Sequence, residues 1–128
     1  MFDQYIVCED GFQLRADGRP GGVVEVRMPY YRGLGLSMVE AVDLTVDGVA
    51  VPSDRTDFTV HGNTYGLDEL PQTLDDRWEM GERAQLGFLT EEPLAPGEHE
   101  VAVAIRLRIS YMPAPGGGRD RKRLTLNP

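Results

Sequence analysis

Two histidines, one cysteine and several pairs of neighbouring carboxylates are the groups in this chain with the means to do chemistry. His61 sits in "VHGN", which has the look of a loop tip. A histidine beside a carboxylate serves as a general base when both reach one substrate atom. His99 falls on the apolar parity of a strongly alternating stretch, which favours a hydrogen-bonded structural role. Cys8 lies in "IVCEDGF", beside Glu9 and Asp10. Their negative charge raises a thiol pKa, which argues against an activated nucleophile. The acid pairs Glu9-Asp10, Asp68-Glu69, Asp75-Asp76 and Glu91-Glu92 are, as adjacent residues, solvated turns. An acid/base pair is defined by a separation in space that a sequence does not give. No nucleophile elbow occurs, so no Ser-His-Asp set is visible. One Cys and two His make a metal site of this chain's own a poor reading, and no cofactor is expected in it. "DGRPGG" is rich in glycine, but no strand-to-helix context follows it. A hairpin turn accounts for it better than a phosphate loop. No catalytic residue is assigned.

Aromatic and guanidinium groups are a second kind of functional candidate. "RMPYYRGLGLS" places Tyr30, Tyr31 and Arg32 between Pro29 and two glycines, directly after a strand-like run. Proline lacks a ladder donor, so a strand ends or bulges there. The segment is expected to be a shaped corner between strands. Trp78, the single tryptophan, stands in "DDRWEMGE" among charged neighbours. A core tryptophan at a sheet edge and an interface anchor are equally good readings of it, since Trp, Tyr and Arg dominate binding hot spots. Arg106 and Arg108 share the polar parity of the long alternating stretch. Tyr30, Tyr31, Arg32, Trp78 and Arg108 form the candidate partner-contact set.

The elements that position these groups are strands. In "HEVAVAIRLRISY" Val101, Val103, Ile105, Leu107, Ile109 and Tyr111 share one face and Glu100, Ala102, Ala104, Arg106, Arg108 and Ser110 the other. Such strict alternation predicts a long strand with one buried face over 99–111. "GGVVEVRM" sets Val24, Val26 and Met28 against Val23, Glu25 and Arg27. "RAQLGFL" puts Ala84, Leu86 and Phe88 on one face. "LSMVEAVDLTV" puts Glu40, Val42, Leu44 and Val46 on one parity and Val39, Ala41, Asp43 and Thr45 on the other. Asp47-Gly48 is a hairpin signal. "DFTVHG" and "NTYGL" are short strands around His61-Gly62. Only residues 67–80 have room for a helical turn, which Pro71 limits. About seven to nine short strands punctuated by turns predict an all-β fold, an antiparallel β-sandwich of jelly-roll-like or immunoglobulin-like type.

The 128 residues suit one domain, taken as 1–128, with 114–128 as a Gly-rich turn, a basic cluster and a final edge strand. Net charge is −8. Without the cluster Arg119, Asp120, Arg121, Lys122 and Arg123 the remainder carries nine basic and twenty acidic groups, a net of −11. An acidic body argues against nucleic acid or an anionic membrane as partner. The cluster is taken as a solvated loop, with a patch for an acidic partner as the alternative. No apolar run is long enough for a membrane span, and the first residues lack a secretory pattern. A single cysteine suits a reducing cytosol, so the expected location is cytoplasmic.

Several collinear stretches, "YIVCEDGF", "MPYYRGLGLSMVE", "LTVDG", "RWEMGERAQL" and "GEHEVAVAIRLRISYMP", span roughly residues 5–113. Together they resemble the small β subunit of bacterial C-glycoside deglycosidases. No single motif is decisive, and the combination of "PYYRG" with "RISYMP" is fairly specific. The resemblance implies a non-catalytic β-sandwich subunit of a lyase that cleaves the carbon–carbon bond between a 3-oxo sugar and an aromatic aglycone. It implies a larger α subunit like a sugar-isomerase TIM barrel, holding the divalent metal, usually Mn2+, and most of the 3-oxo-C-glycoside, in a higher-order heteromer. A stand-alone carbohydrate-binding sandwich, with Tyr30, Tyr31 and Trp78 as a stacking platform, is the alternative. A cupin-like metalloenzyme is a weaker third.

Overall fold

The computed structural model describes residues 6–15, 17–28, 33–79, 82–108 and 116–126. The strands are β1 (Gln13–Leu14), β2 (Gly21–Arg27), β3 (Leu34–Gly35), β4 (Val39–Val46), β5 (Val49–Val51), β6 (Thr56–Val60), β7 (Asn63–Gly66), β8 (Arg77–Trp78), β9 (Arg83–Leu89), β10 (Glu98–Leu107) and β11 (Gly116–Thr125). They make a five-stranded sheet of order β1-β2-β9-β6-β7, a four-stranded sheet of order β11-β10-β4-β5 and a small β3-β8 pair. Every pairing is antiparallel. The two larger sheets enclose one apolar cluster, so the fold is the antiparallel β-sandwich that the alternation predicts.

Alternation sets the faces of most strands. Val24 and Val26 of β2, Ala84, Leu86 and Phe88 of β9, and Val101, Val103, Ile105 and Leu107 of β10 are all at most 3% exposed. Each of these valines, leucines, isoleucines and phenylalanines contributes about 1.5–3 kcal/mol relative to its exposed state. The Asp47-Gly48 hairpin signal forms a tight turn, and so does His61-Gly62. Asp47 (φ 52°) with Gly48 (φ 80°), and His61 (φ 55°) with Gly62 (φ 78°), take the paired positive φ of a type I′ turn. A 3-10 turn, Leu67–Gln72, contains Pro71 and stands where a helical turn has room.

Two expectations are corrected. In β4, Val39 is buried and Glu40 is not, the reverse of the predicted parity. Leu107 of β10 faces Val39 while Arg106 faces Ala41, so Glu40 is the extra residue of a β-bulge that flips parity at the start of the strand. The basic cluster is not a loop. Residues 116–125 pair along the whole of β10, from Leu107↔Gly116 to Glu98↔Thr125, and form the sheet's edge strand. Ten residues of β10 leave a long row of backbone groups that require a partner, and burial of Leu124 (1% exposed) anchors the match.

Residues 6–8 close the seam between the sheets. Val7 bridges Val26, with the Cys8 N–H donating to the Glu25 carbonyl at 2.9 Å and the Arg27 N–H to the Ile6 carbonyl at 2.7 Å. Asp120 and Lys122, whose β10 partners Val103 and Val101 face the core, point inward from β11. The Val7 N–H donates to Asp120 Oδ2 at 2.9 Å, and Lys122 Nζ donates to the Val7 carbonyl at 2.6 Å. The two side chains also pair with each other at 3.1 Å. An edge strand with inward charges resists pairing with another chain.

Candidate functional site

The β3-β8 pair builds a corner around Trp78. Leu34 faces Trp78 and Gly35 faces Arg77. Tyr30, Tyr31 and Arg32 lie outside the described residues, in the chain just before this pair. Trp78 itself is fully buried, stacked edge-to-face on Phe58 with centroids 5.2 Å apart. Its indole N–H donates to the Glu82 carbonyl at 2.7 Å. With no surface to offer, Trp78 is a core residue of this chain rather than a partner contact or part of a sugar-stacking platform. The ring packs inward because neighbouring Arg77 and Glu79, both exposed and paired at 2.8 Å, take the outward positions of the short strand.

His61 locks this corner. Its Nδ1 is 2.8 Å from Asp76 Oδ1 and its Nε2 is 2.6 Å from Glu82 Oε2. Both partners are acceptors only, so both ring nitrogens carry protons and the imidazolium is the favoured form. The Asp76 and Glu82 carboxylates accordingly raise the His61 pKa above its ordinary value. Asp76 also accepts from the Tyr65 hydroxyl at 2.8 Å and from the Arg77 N–H at 2.8 Å. The imidazolium, first of these partners, helps pull its pKa down to about 2. The second oxygen of Glu82 takes the Glu79 N–H at 3.0 Å. A turn tip, a strand and a loop thus meet in one charge network.

His99 repeats the device inside the sandwich. Its Nδ1 is 2.6 Å from Asp47 Oδ2 and its Nε2 is 2.7 Å from the Ala95 carbonyl. Both nitrogens again face acceptors. The Asp47 carboxylate, and secondarily the Ala95 carbonyl, raise the His99 pKa. The other Asp47 oxygen holds the Glu100 N–H at 2.9 Å, so the positive-φ turn is tied to β10. Phe12 abuts the ring edge-on at 5.8 Å. The structural role read from parity is the role observed.

The remaining chemical candidates are similarly occupied. The Cys8 thiol is buried and its pKa is raised, as expected, but burial is the leading cause. Glu25 and Asp10 add to it, while the Arg27 and Arg83 guanidiniums oppose it. Arg83 is held by Glu25 and Asp10, each at 3.0 Å. Arg108 is exposed, as its parity predicts. It lies 3.8 Å from Glu40, which also pairs with Arg106 at 3.4 Å. The β-bulge is what turns Glu40 toward these two arginines. Among the described residues no group of three or more His, Cys, Asp or Glu is arranged to hold a metal ion. None of their helices is long and apolar enough to cross a membrane. Neither the Asp76 nor the Glu82 contact was legible in the sequence, since the partners lie 15 and 21 residues from His61.

Comparison with known proteins gives one consistent family. A family model described as the C-glycoside deglycosidase beta subunit matches residues 2–111. A Microbacterium trichothecenolyticum protein named C-glycoside deglycosidase beta subunit is 39% identical over 107 residues, covering 83% of this chain and 79% of that protein. One of the same name from Arthrobacter globiformis is 37% identical over 95 residues, 73% of this chain and 72% of its own length. The 3'-dehydrocarminate deglycosidase beta subunit of a Microbacterium species is 34% identical over 131 residues, 98% of this chain and 96% of its own length.

Proposed function

Because the chain belongs to the family of C-glycoside deglycosidase beta subunits, we propose that it is the non-catalytic subunit of a heteromeric, cytoplasmic lyase that cleaves the carbon–carbon bond between a 3-oxo sugar and an aromatic aglycone. In this reading it stabilises a TIM-barrel α subunit and helps to close its active site. The observation that carries the reading is the state of the two imidazoles. Each has both ring nitrogens engaged by acceptors of the same chain, which leaves neither free to move a substrate proton. The relative named for 3'-dehydrocarminate supports a substrate oxidised at the sugar's 3 position.

The chemistry asks nothing more of this chain. A ketone at C3 acidifies the C2–H, and a base of the α subunit removes that proton. The electron pair forms the C1–C2 double bond and expels the aglycone carbon, which takes up a proton. One C–C bond breaks, and no oxidant or reductant is consumed. The divalent metal, taken as Mn2+, belongs to the α subunit in this assignment, since the described residues here do not fit one. Tyr30, Tyr31, Arg32 and Arg108 are kept as contacts to that subunit.

The test is a reconstitution. The purified chain, a candidate TIM-barrel α subunit and their mixture are each given a 3-oxo-C-glycoside, and release of aglycone is followed. The mixture is expected to turn over and the isolated chain not to. Full activity of the isolated chain overturns the proposal.

A further inference from the structure

β11 carries two sets of charges on its two faces. Asp120 and Lys122 point into the sandwich, while Arg119, Arg121 and Arg123 are exposed on the other side. Alternate residues of a strand lie about 6.6 Å apart, so the three guanidiniums stand in a row about 13 Å long. Among the described residues Arg119 and Arg121 make no side-chain ion pair, and Arg123 acts on Asp47 only as a distant charge. This distinguishes them from Arg15, Arg77, Arg83, Arg106 and Arg108, each of which has a carboxylate within 4.0 Å.

The register continues the row into a surface. Arg121 stands beside Ala102 and then Thr45, and Arg119 beside Ala104 and then Asp43. Small side chains leave a shallow depression of about 640 Å³ over the middle of this sheet. Arg106 lies on the same face, and Arg108 follows it in the chain. The carboxylates here are Glu40, Asp43, Glu98 and Glu100. Glu40 is already engaged by Arg106 and Arg108, and Glu100 stands opposite Arg123.

A second observation makes the row a built feature. The inward Asp120–Lys122 pair is fastened to both backbone groups of Val7, so the strand displaying the arginines is pinned from beneath. Guanidiniums on a fixed backbone lose less freedom on docking than those on a loop. In a chain of net charge −8, this sheet face holds five of the thirteen basic residues against four carboxylates, and Arg119 and Arg121 are the two of its arginines furthest from a matching acid. With the neighbouring β4 included, the sheet face is roughly 33 Å by 14 Å. That is more than half of the about 800 Å² per partner of a standard interface.

We propose that the outer face of β10 and β11 is a docking surface for a carboxylate-rich face of the α subunit, with Arg119, Arg121 and Arg123 as its charged row. The inference rests on the subunit reading above and adds the surface. The family match ends at residue 111, short of β11.

The combined variant Arg119→Glu, Arg121→Glu, Arg123→Glu tests it against the same candidate α subunit, tagged. The wild-type chain is expected to form the complex, and its affinity to fall with rising salt. The variant is expected to bind at least about tenfold more weakly, chiefly through a slower association rate. The Lys triple variant should retain most of the affinity. Far-UV circular dichroism and the thermal midpoint of both variants should match the wild type, which separates docking from folding. If the wild type assembles and the Glu variant assembles equally well, the subunit reading stands and this surface is wrong. If the wild type forms no complex, the subunit reading fails and the surface falls with it. If the substitutions instead abolish binding to a DNA duplex and leave assembly intact, the row reads nucleic acid and the proposal is overturned.

Discussion

The His61 corner and the β11 arginine row are both dense in charge, and they are built on opposite plans. At the corner each charge meets its complement within the chain: His61 with Asp76 and Glu82, Arg77 with Glu79. Along β11 the outward guanidiniums of Arg119 and Arg121 find no such complement among the described residues. Internally matched charge fixes the protein's own shape. Unmatched charge on a rigid strand is available to something else. The matched plan also sets the state of the imidazoles: a histidine flanked by acceptors on both sides is held as a cation.

Substitutions sharpen the contrast, and the largest effect belongs to the corner. Trp78→Ala removes a fully buried ring stacked on Phe58, and unfolding in urea should show a loss of about 3–5 kcal/mol. A loss below about 1 kcal/mol would mean that the corner is held by its charges alone.

Beneath the row, Asp120→Ala strips the acceptor from the Val7 N–H and from Lys122, with an expected cost of about 1–3 kcal/mol. Changing Asp120→Leu and Lys122→Met together should cost less than the sum of the single changes, because neither charge is then left alone. An additive result would show that the inward pair does not act as a unit.

The corner should also respond to pH. His61 has its pKa raised from 6.5, so its stabilising share is full below that value and fades as pH rises through the folded-state pKa. Asp76 has its pKa lowered from 3.8 to about 2, so its share is full above 3.8 and fades as pH falls toward about 2. The latch is therefore strongest between 3.8 and 6.5. NMR titration should place the His61 midpoint above 6.5, and Asp76→Asn should lower it. An unchanged midpoint would break the charge-network account.

The smallest effect is expected at the row itself. The combined change of Arg119, Arg121 and Arg123 to Gln should move the stability of the free chain by less than about 0.5 kcal/mol. A larger loss would show that the row is spent within the fold, and would erase the difference between the two regions.

Period-2 patterning made β2, β9 and β10 legible, because one face of each strand is apolar, with His99 at the start of β10 the one polar member. It failed at Glu40, where a bulge shifts the parity and leaves no local trace in the residue types. It failed again at β11. Three glycines and alternating charges carry little strand propensity, and the strand exists because ten residues of β10 require pairing. The histidine contacts were illegible for another reason, as they are made in space by residues far apart in the chain. The fate of Trp78 was balanced in the sequence, and only the packing on Phe58 decided it.

The inward pair on β11 also acts as a check on assembly of the chain with itself. Should β11 slide by one residue against β10, every side chain would change faces. Three guanidiniums would then face the apolar layer between the sheets, and Val7 would lose both of its clasps. A strand weak in intrinsic propensity thus carries its own parity bit, one written in charge, that rejects the wrong alignment before the sheet can close.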